Sequence, residues 1–174
     1  MDAGAEEAFR QFVLSRSPGL RRLAVLLTGD YGHAEDLVQV ALTKLYFAWN
    51  RLEAQEAVDA YARRILVNTH LNQRRRRWWR ERATPTIPDA GVADAADETA
   101  ERDRVLRALA ALPARQRAVM VLRFYDDKSE ADVARILQIP LGTVKSSSAR
   151  ALARLEGLLA AQAEEPRLGV GDQR

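Results

Sequence analysis

The stretch 135-RILQIPLGTVKSSSARALARL-155 sets the question of fold. An apolar segment runs into a turn containing Pro140, and a second segment opens on Gly142-Thr143. Just upstream, Ser129 with Asp132 gives a capping-box-like start to a short helix over 129–137. A longer helix follows over 141–160, and a short helix, short turn and long helix in this order have the spacing of a helix-turn-helix. Val133, Ile136 and Leu137 would face the core, and Val144, Ser148, Ala151 and Leu155 follow the rhythm of a buried side. The opposite face presents Thr143, Ser146, Arg150 and Arg154, with Lys145 at its flank. In a recognition helix the N-terminal residues meet base edges in the major groove. Lys and Arg read guanine or hold phosphates, and Ser or Thr bind either. A plain helical hairpin with a solvated basic face fits the same spacing, and DNA binding is the reading the residue types favour.

Outward from this motif the chain reads as helices. Helices over about 101–111 and 114–124, separated by Leu112-Pro113, complete a second module of 101–160. The first module, 5–82, opens with 5–16, where Phe9, Phe12 and Val13 share a face. Ser17-Pro18 reads as an N-cap with proline in the first turn of a new helix, 18–28, with Leu20, Leu23, Ala24 and Leu27 buried. After a turn at 29–32, a helix over 33–49 buries Leu37, Ala41, Leu45 and Ala48 and carries Asp36, Gln39 and Thr43 on another face. A less regular stretch, 50–60, leads to a long helix, 59–82, with Tyr61, Ile65, Leu66 and Leu71 among its apolar positions. Residues 83–100, with two prolines and little that could form a core, read as a flexible linker, and 161–174 as a frayed tail.

The net charge of +3 hides segregation. It is −3 over 1–62, +7 over 63–82, −5 over 83–103 and +4 over 104–174, which suggests two modules with basic faces and an acidic connector. The +7 block contains 74-RRRRWWRER-82. A solvated basic helix end would satisfy the macrodipole, but would not require four successive arginines, some of which must face solvent. Arginines give phosphate contacts with salt-dependent affinity. Trp78 and Trp79 could stack on unpaired bases, though capping the core is commoner for a tryptophan on such a helix. Asn68 and Asn72, one turn apart, could read base edges.

Composition excludes several classes. Without cysteine there is no disulfide, thiolate metal site or thiol catalysis, and two histidines make a histidine-rich metal site unexpected. Neither a signal-peptide plan nor a membrane-length apolar run is present, so a cytoplasmic protein without membrane insertion is expected. The pairs Glu35-Asp36 and Asp126-Asp127 lack convergent His or Cys and read as helix-end or turn features. No enzyme activity, cofactor or metal is expected.

Three stretches together resemble the sigma-E-like extracytoplasmic-function (group 4) sigma factors of bacterial RNA polymerase, in the sigma-70 superfamily. They are 29-GDYGHAEDLVQVALTKLYFAW-49, 61-YARRILVNTHLNQRRRR-77 and the region 109–155, in the family's order. The resemblance implies an all-α chain of two small helical domains, a region 2-like bundle and a region 4-like helix-turn-helix, joined by the acidic flexible linker. It implies that Asp36, Gln39 and Thr43 lie on the face that binds the largest-subunit clamp of core polymerase, with the flap a second polymerase contact. The −10 set would be Tyr61, Arg63, Arg64, Asn68, Asn72, Arg74, Arg75, Arg76 and Arg77, with 50–60 forming a pocket for a flipped base. The −35 set would be Thr143, Lys145, Ser146, Arg150 and Arg154. Promoter DNA is then a partner, and an anti-sigma protein a further one. The chain departs from the family in having Val40 after the clamp-motif Gln39, only small and acidic residues between Leu52 and Tyr61, and Ser147-Ser148-Ala149 in the recognition helix. The rival readings are a stand-alone helix-turn-helix regulator, which predicts operator binding without polymerase affinity, and a helical protein-only adaptor, against which the +7 block argues.

Overall fold

The computed structural model describes residues 2–52, 55–80 and 98–164, and every regular element among them is helical. The first module comprises α1 (Ala3–Thr28), α2 (Tyr31–Ala48), a 3-10 turn (Trp49–Arg51) and α3 (Gln55–Arg80). The second comprises α4 (Glu98–Ala110), α5 (Ala114–Met120), a π-helical turn (Val121–Tyr125), α6 (Glu130–Leu137) and α7 (Leu141–Glu164).

The break expected at Ser17-Pro18 is absent: α1 runs through it, with Pro18 inside the helix. The Phe9/Phe12 stripe and the Leu20/Leu23/Ala24/Leu27 stripe are in phase, so a single helix buries both against one core. Phe12, Leu20, Leu23 and Leu27 each contribute about 1.5–3 kcal/mol on burial, which outweighs roughly 3 kcal/mol for an interior proline. Leu14, whose carbonyl loses its usual donor at Pro18, is exposed. The helix is capped instead by Asp2, whose carboxylate accepts from the Ala5 N–H at 2.8 Å. It ends at Gly29, which adopts φ 76°, a left-handed conformation open to glycine without a Cβ clash.

Four boundaries differ from expectation. Asp30 caps α2 by accepting from His33 N–H at 2.6 Å, so α2 begins inside the expected turn. The irregular stretch 50–60 shrinks, because α3 already starts at Gln55 and Val58 drives into the core. The expected linker loses its last residues to α4, while 83–97 lie outside the described residues. α7 extends to Glu164, past the expected frayed start of the tail, and 165–174 lie outside the described residues. The helix expected over 114–124 relaxes into the π turn, which turns Phe124 and Tyr125 outward while Val121 and Leu122 stay buried.

The helix-turn-helix forms as read. Ser129 and Asp132 make a reciprocal capping box, and Val133, Ile136, Leu137, Val144, Ser148 and Ala151 are buried. Leu155 is half-buried. One apolar core runs through both modules, joining Phe12, Leu23, Leu45 and Leu66 to Val119, Leu122, Val133 and Val144. α3 packs on α2 and also against α6, so the two modules lie directly against each other.

Candidate nucleic-acid and polymerase interfaces

Arg117 fixes the relation between the modules. Its side chain is 1 % exposed, yet it is charged. Nη1 donates to the Leu27 carbonyl at 2.8 Å, and Nη2 donates to the carbonyls of Ala110 and Leu112. These oxygens lie at the C-terminal ends of α1 and α4, where unpaired carbonyls and the helix dipole favour a cation. Two lighter contacts join the modules: Arg22 Nε donates to the Tyr125 hydroxyl at 3.1 Å, and Arg102 Nη2 to the Tyr31 hydroxyl at 2.8 Å.

On α2, Asp36, Gln39 and Thr43 are all exposed on one face. The Thr43 hydroxyl donates to the Gln39 carbonyl at 2.8 Å, a local bond that leaves the Gln39 amide uncommitted. Among the described residues neither the Asp36 carboxylate nor the Gln39 amide has a partner. Val40 and Phe47 share this face, Phe47 at 75 % exposure, so the stripe is part polar and part apolar. The sequence reading noted Val40 only as a departure and missed Phe47, although their spacing from Asp36 by four and eleven residues placed all three together.

The −10 candidates divide. Arg64 and Asn72 are exposed, and Tyr61 and Asn68 are half-buried. The Arg64 guanidinium sits 5.5 Å from the Tyr61 ring centroid. The side chains of Arg74, Arg75, Arg76 and Arg77, and those of Trp78 and Trp79, lie outside the described residues, although α3 carries all of them. Arg63 is not an open phosphate binder here. Its Nε donates to Asp126 Oδ2 at 2.5 Å, and its Nη1 pairs with Asp59. Burial works against its charged form, but the hydrogen bonds it donates to Asp126 and Asp59 prevail and raise its pKa above the ordinary guanidinium value. Asp126 is a turn residue, as its sequence context indicates, and it is also the acceptor that ties α3 to the second module. No local pattern could reveal this, since the partners are 63 residues apart.

The −35 candidates are presented together. Thr143, Lys145, Arg150 and Arg154 are exposed along α7, and Ser146 is half-buried with its hydroxyl donating to the Thr143 carbonyl at 3.2 Å. Among the described residues the cations of Lys145, Arg150 and Arg154 have no partner, so the face is unoccupied by the protein itself. Among the described residues there is no cluster of acidic, His or Cys side chains suited to a metal, and no helix is long and apolar enough to cross a membrane.

A helical bundle with a polar stripe on one helix and a basic helix behind it, followed by a helix-turn-helix with an open basic face, defines a two-module sigma-70 protein. Residues 12–80 match the family described as Sigma-70 region 2, and residues 102–155 match Sigma-70, region 4. The chain is 37 % identical over 159 residues to a protein of Streptomyces coelicolor named RNA polymerase sigma-E factor, covering 88 % of this chain and 87 % of that one. It is 38 % identical over 160 residues to a Mycobacterium tuberculosis protein named ECF RNA polymerase sigma factor SigM, covering 90 % and 80 %. Among solved structures it is similar to the sigma factor RpoE in complex with the anti-sigma factor NepR from Bartonella quintana. That match has a TM-score of 0.77 at 30 % identity and covers 88 % of this chain and 98 % of that one. The chain belongs to the extracytoplasmic-function group of RNA polymerase sigma factors.

Proposed function

We propose that this chain binds core RNA polymerase through the exposed face of α2, reads the −35 element with α7 and holds the melted −10 strand on α3. Asp36, Gln39 and Thr43 take the clamp contact, and the flap engages the second module. Thr143, Lys145, Ser146, Arg150 and Arg154 meet the −35 major groove, where Arg and Lys recognise guanine or phosphate and the hydroxyls adapt to either. Tyr61, Arg63, Arg64, Asn68, Asn72 and Arg74 to Arg77 hold the opened −10 strand. Opening the duplex costs about 1.4 kcal/mol per base-pair step, which contacts to captured bases and phosphates offset. None of these roles makes or breaks a covalent bond, so the protein acts as a non-enzymatic cytoplasmic initiation factor. The two modules, 5–82 and 101–160, divide the labour.

The observation that carries this reading is the pairing of two uncommitted exposed faces, the polar stripe of α2 and the basic face of α7, on modules of the matching family. The similarity to a sigma factor captured with its anti-sigma factor supports an anti-sigma protein as a further partner. The test is co-migration with bacterial core polymerase on size exclusion without DNA. A stoichiometric complex is expected. A folded, inhibitor-free protein that elutes alone would instead leave a stand-alone DNA-binding regulator.

A further inference from the structure

Arg63 occupies the seam between the modules. It projects from α3, on the face assigned above to the −10 strand, and meets Asp126 on the turn leading into α6. Both side chains are largely withdrawn from water, at 15 % and 13 % exposure, and Asp59 on α3 completes the clasp. A guanidinium has a fixed fork of donors, and a phosphate oxygen asks for the same charge-assisted geometry as a carboxylate. With Nε on Asp126 and Nη1 on Asp59, Arg63 cannot present that fork to a backbone phosphate. Steric cover agrees with the chemistry. The cleft beside the clasp, about 680 Å³, has Tyr61 and Arg64 on one wall and Arg135 and Ile136 of α6 on the other. A strand laid along this part of α3 therefore meets α6.

We propose that Asp126 stands in for a promoter phosphate on Arg63, pinning the modules in a closed form that must part before α3 takes up the −10 strand. The inference rests on the −10 assignment of Arg63 made above. It makes the second module the gate of the first. The clasp opposes single-strand binding, whereas the −35 face stays open in the closed form.

The test uses the whole chain. It contains no cysteine, so Asn50→Cys with Glu156→Cys, both at exposed positions, gives one spin-label pair spanning the modules. The parent should show one narrow distance distribution, and Asp126→Asn should add a second, longer population. Arg63→Gln should do the same from the other side, so the distance test survives if either variant folds poorly. Binding is then read with a short fluorescent oligothymidylate. Asp127→Asn makes the same charge change next door, without a partner among the described residues. Asp126→Asn should bind roughly tenfold more tightly than Asp127→Asn, because affinity scales with the fraction of open molecules. Adding Arg63→Ala to Asp126→Asn should remove the gain. Distances unchanged in both clasp variants would overturn the closed-form pin, whatever the binding. A lengthened distance with affinity equal to that of Asp127→Asn would overturn the competition, and with it the −10 role of Arg63.

Discussion

α3 and α7 carry the two proposed DNA-reading faces, and they are built in opposite ways. On α7 the cations stand at the rim of a small helix-turn-helix whose buried side is short and built of the small residues Val144, Ser148 and Ala151, while Lys145, Arg150 and Arg154 are exposed. On α3 the proposed reading face is also a packing face: one side buries Val58, Ala62, Leu66 and Val67, and another lies under α6. The same residue type, arginine, is therefore exposed at 150 and clasped at 63. The lesson is that a basic residue on a predicted reading helix shows its chemistry in sequence, but its availability depends on what packs across from it.

The largest expected effect tests what holds the two faces in one body. Arg117→Ala strips the cation from the carbonyls of Leu27, Ala110 and Leu112 and should cost about 3–5 kcal/mol. Denaturant unfolding should move from one transition to two as the modules uncouple. A single transition at unchanged midpoint would break the view that this arginine joins them.

Next comes the face that belongs to neither DNA element. Asp36→Arg with Gln39→Ala should weaken polymerase binding by about 2 kcal/mol or more while leaving the circular-dichroism melt unchanged, since both side chains are exposed and unpartnered among the described residues. Retained binding by a folded double variant would remove the clamp assignment.

Arg150→Ala sharpens the comparison directly. A loss of about 1–3 kcal/mol in −35-dependent binding is expected, with polymerase affinity unaltered. Since the face is already open, no compensating change of conformation should accompany it. Equal transcription from intact and mutated −35 templates by the parent protein would sink the recognition-helix role.

The smallest effect concerns the scaffold of the open face. Ser129→Ala should cost about 1 kcal/mol by removing the α6 cap. The Ser129 hydroxyl, with Arg135 and the Ser129 N–H assisting, holds the Asp132 carboxyl below its ordinary 3.8. A depressed carboxyl contributes stability above its unfolded pKa and loses it as pH falls through the folded one. The Ser129→Ala penalty should therefore be full at neutral pH and shrink on acidification below about 4. A penalty independent of pH would detach Asp132 from the cap.

What the sequence disclosed, and what it hid, follows the range of the interactions. The helix-turn-helix was legible because its signals are local: the Ser129/Asp132 box, the Pro140 turn, and the Val144, Ser148 and Ala151 spacing all act within one or two turns. The α2 stripe was legible for the same reason. Pro18 misled because its local cost was weighed without the core that spans it. The Arg63–Asp126 half of the clasp and the Arg117–Leu27 bond were illegible, since these partners lie 63 and 90 residues apart and no periodicity encodes them. The π turn was hidden too, because its register shift serves the seam, letting Tyr125 reach Arg22 while Val121 stays inside.

The Arg117–Leu27 bond, closed across 90 residues, has a consequence in time. A ribosome adds about 5–20 residues per second, so the C-terminal end of α1 leaves the tunnel roughly 5–20 s before the arginine that will cap it. Asp126 follows later still. Each newborn molecule thus passes through an age at which α2 and α3 are made and Arg63 has Asp59 beside it but not yet Asp126, and it grows out of that openness as its last helices emerge.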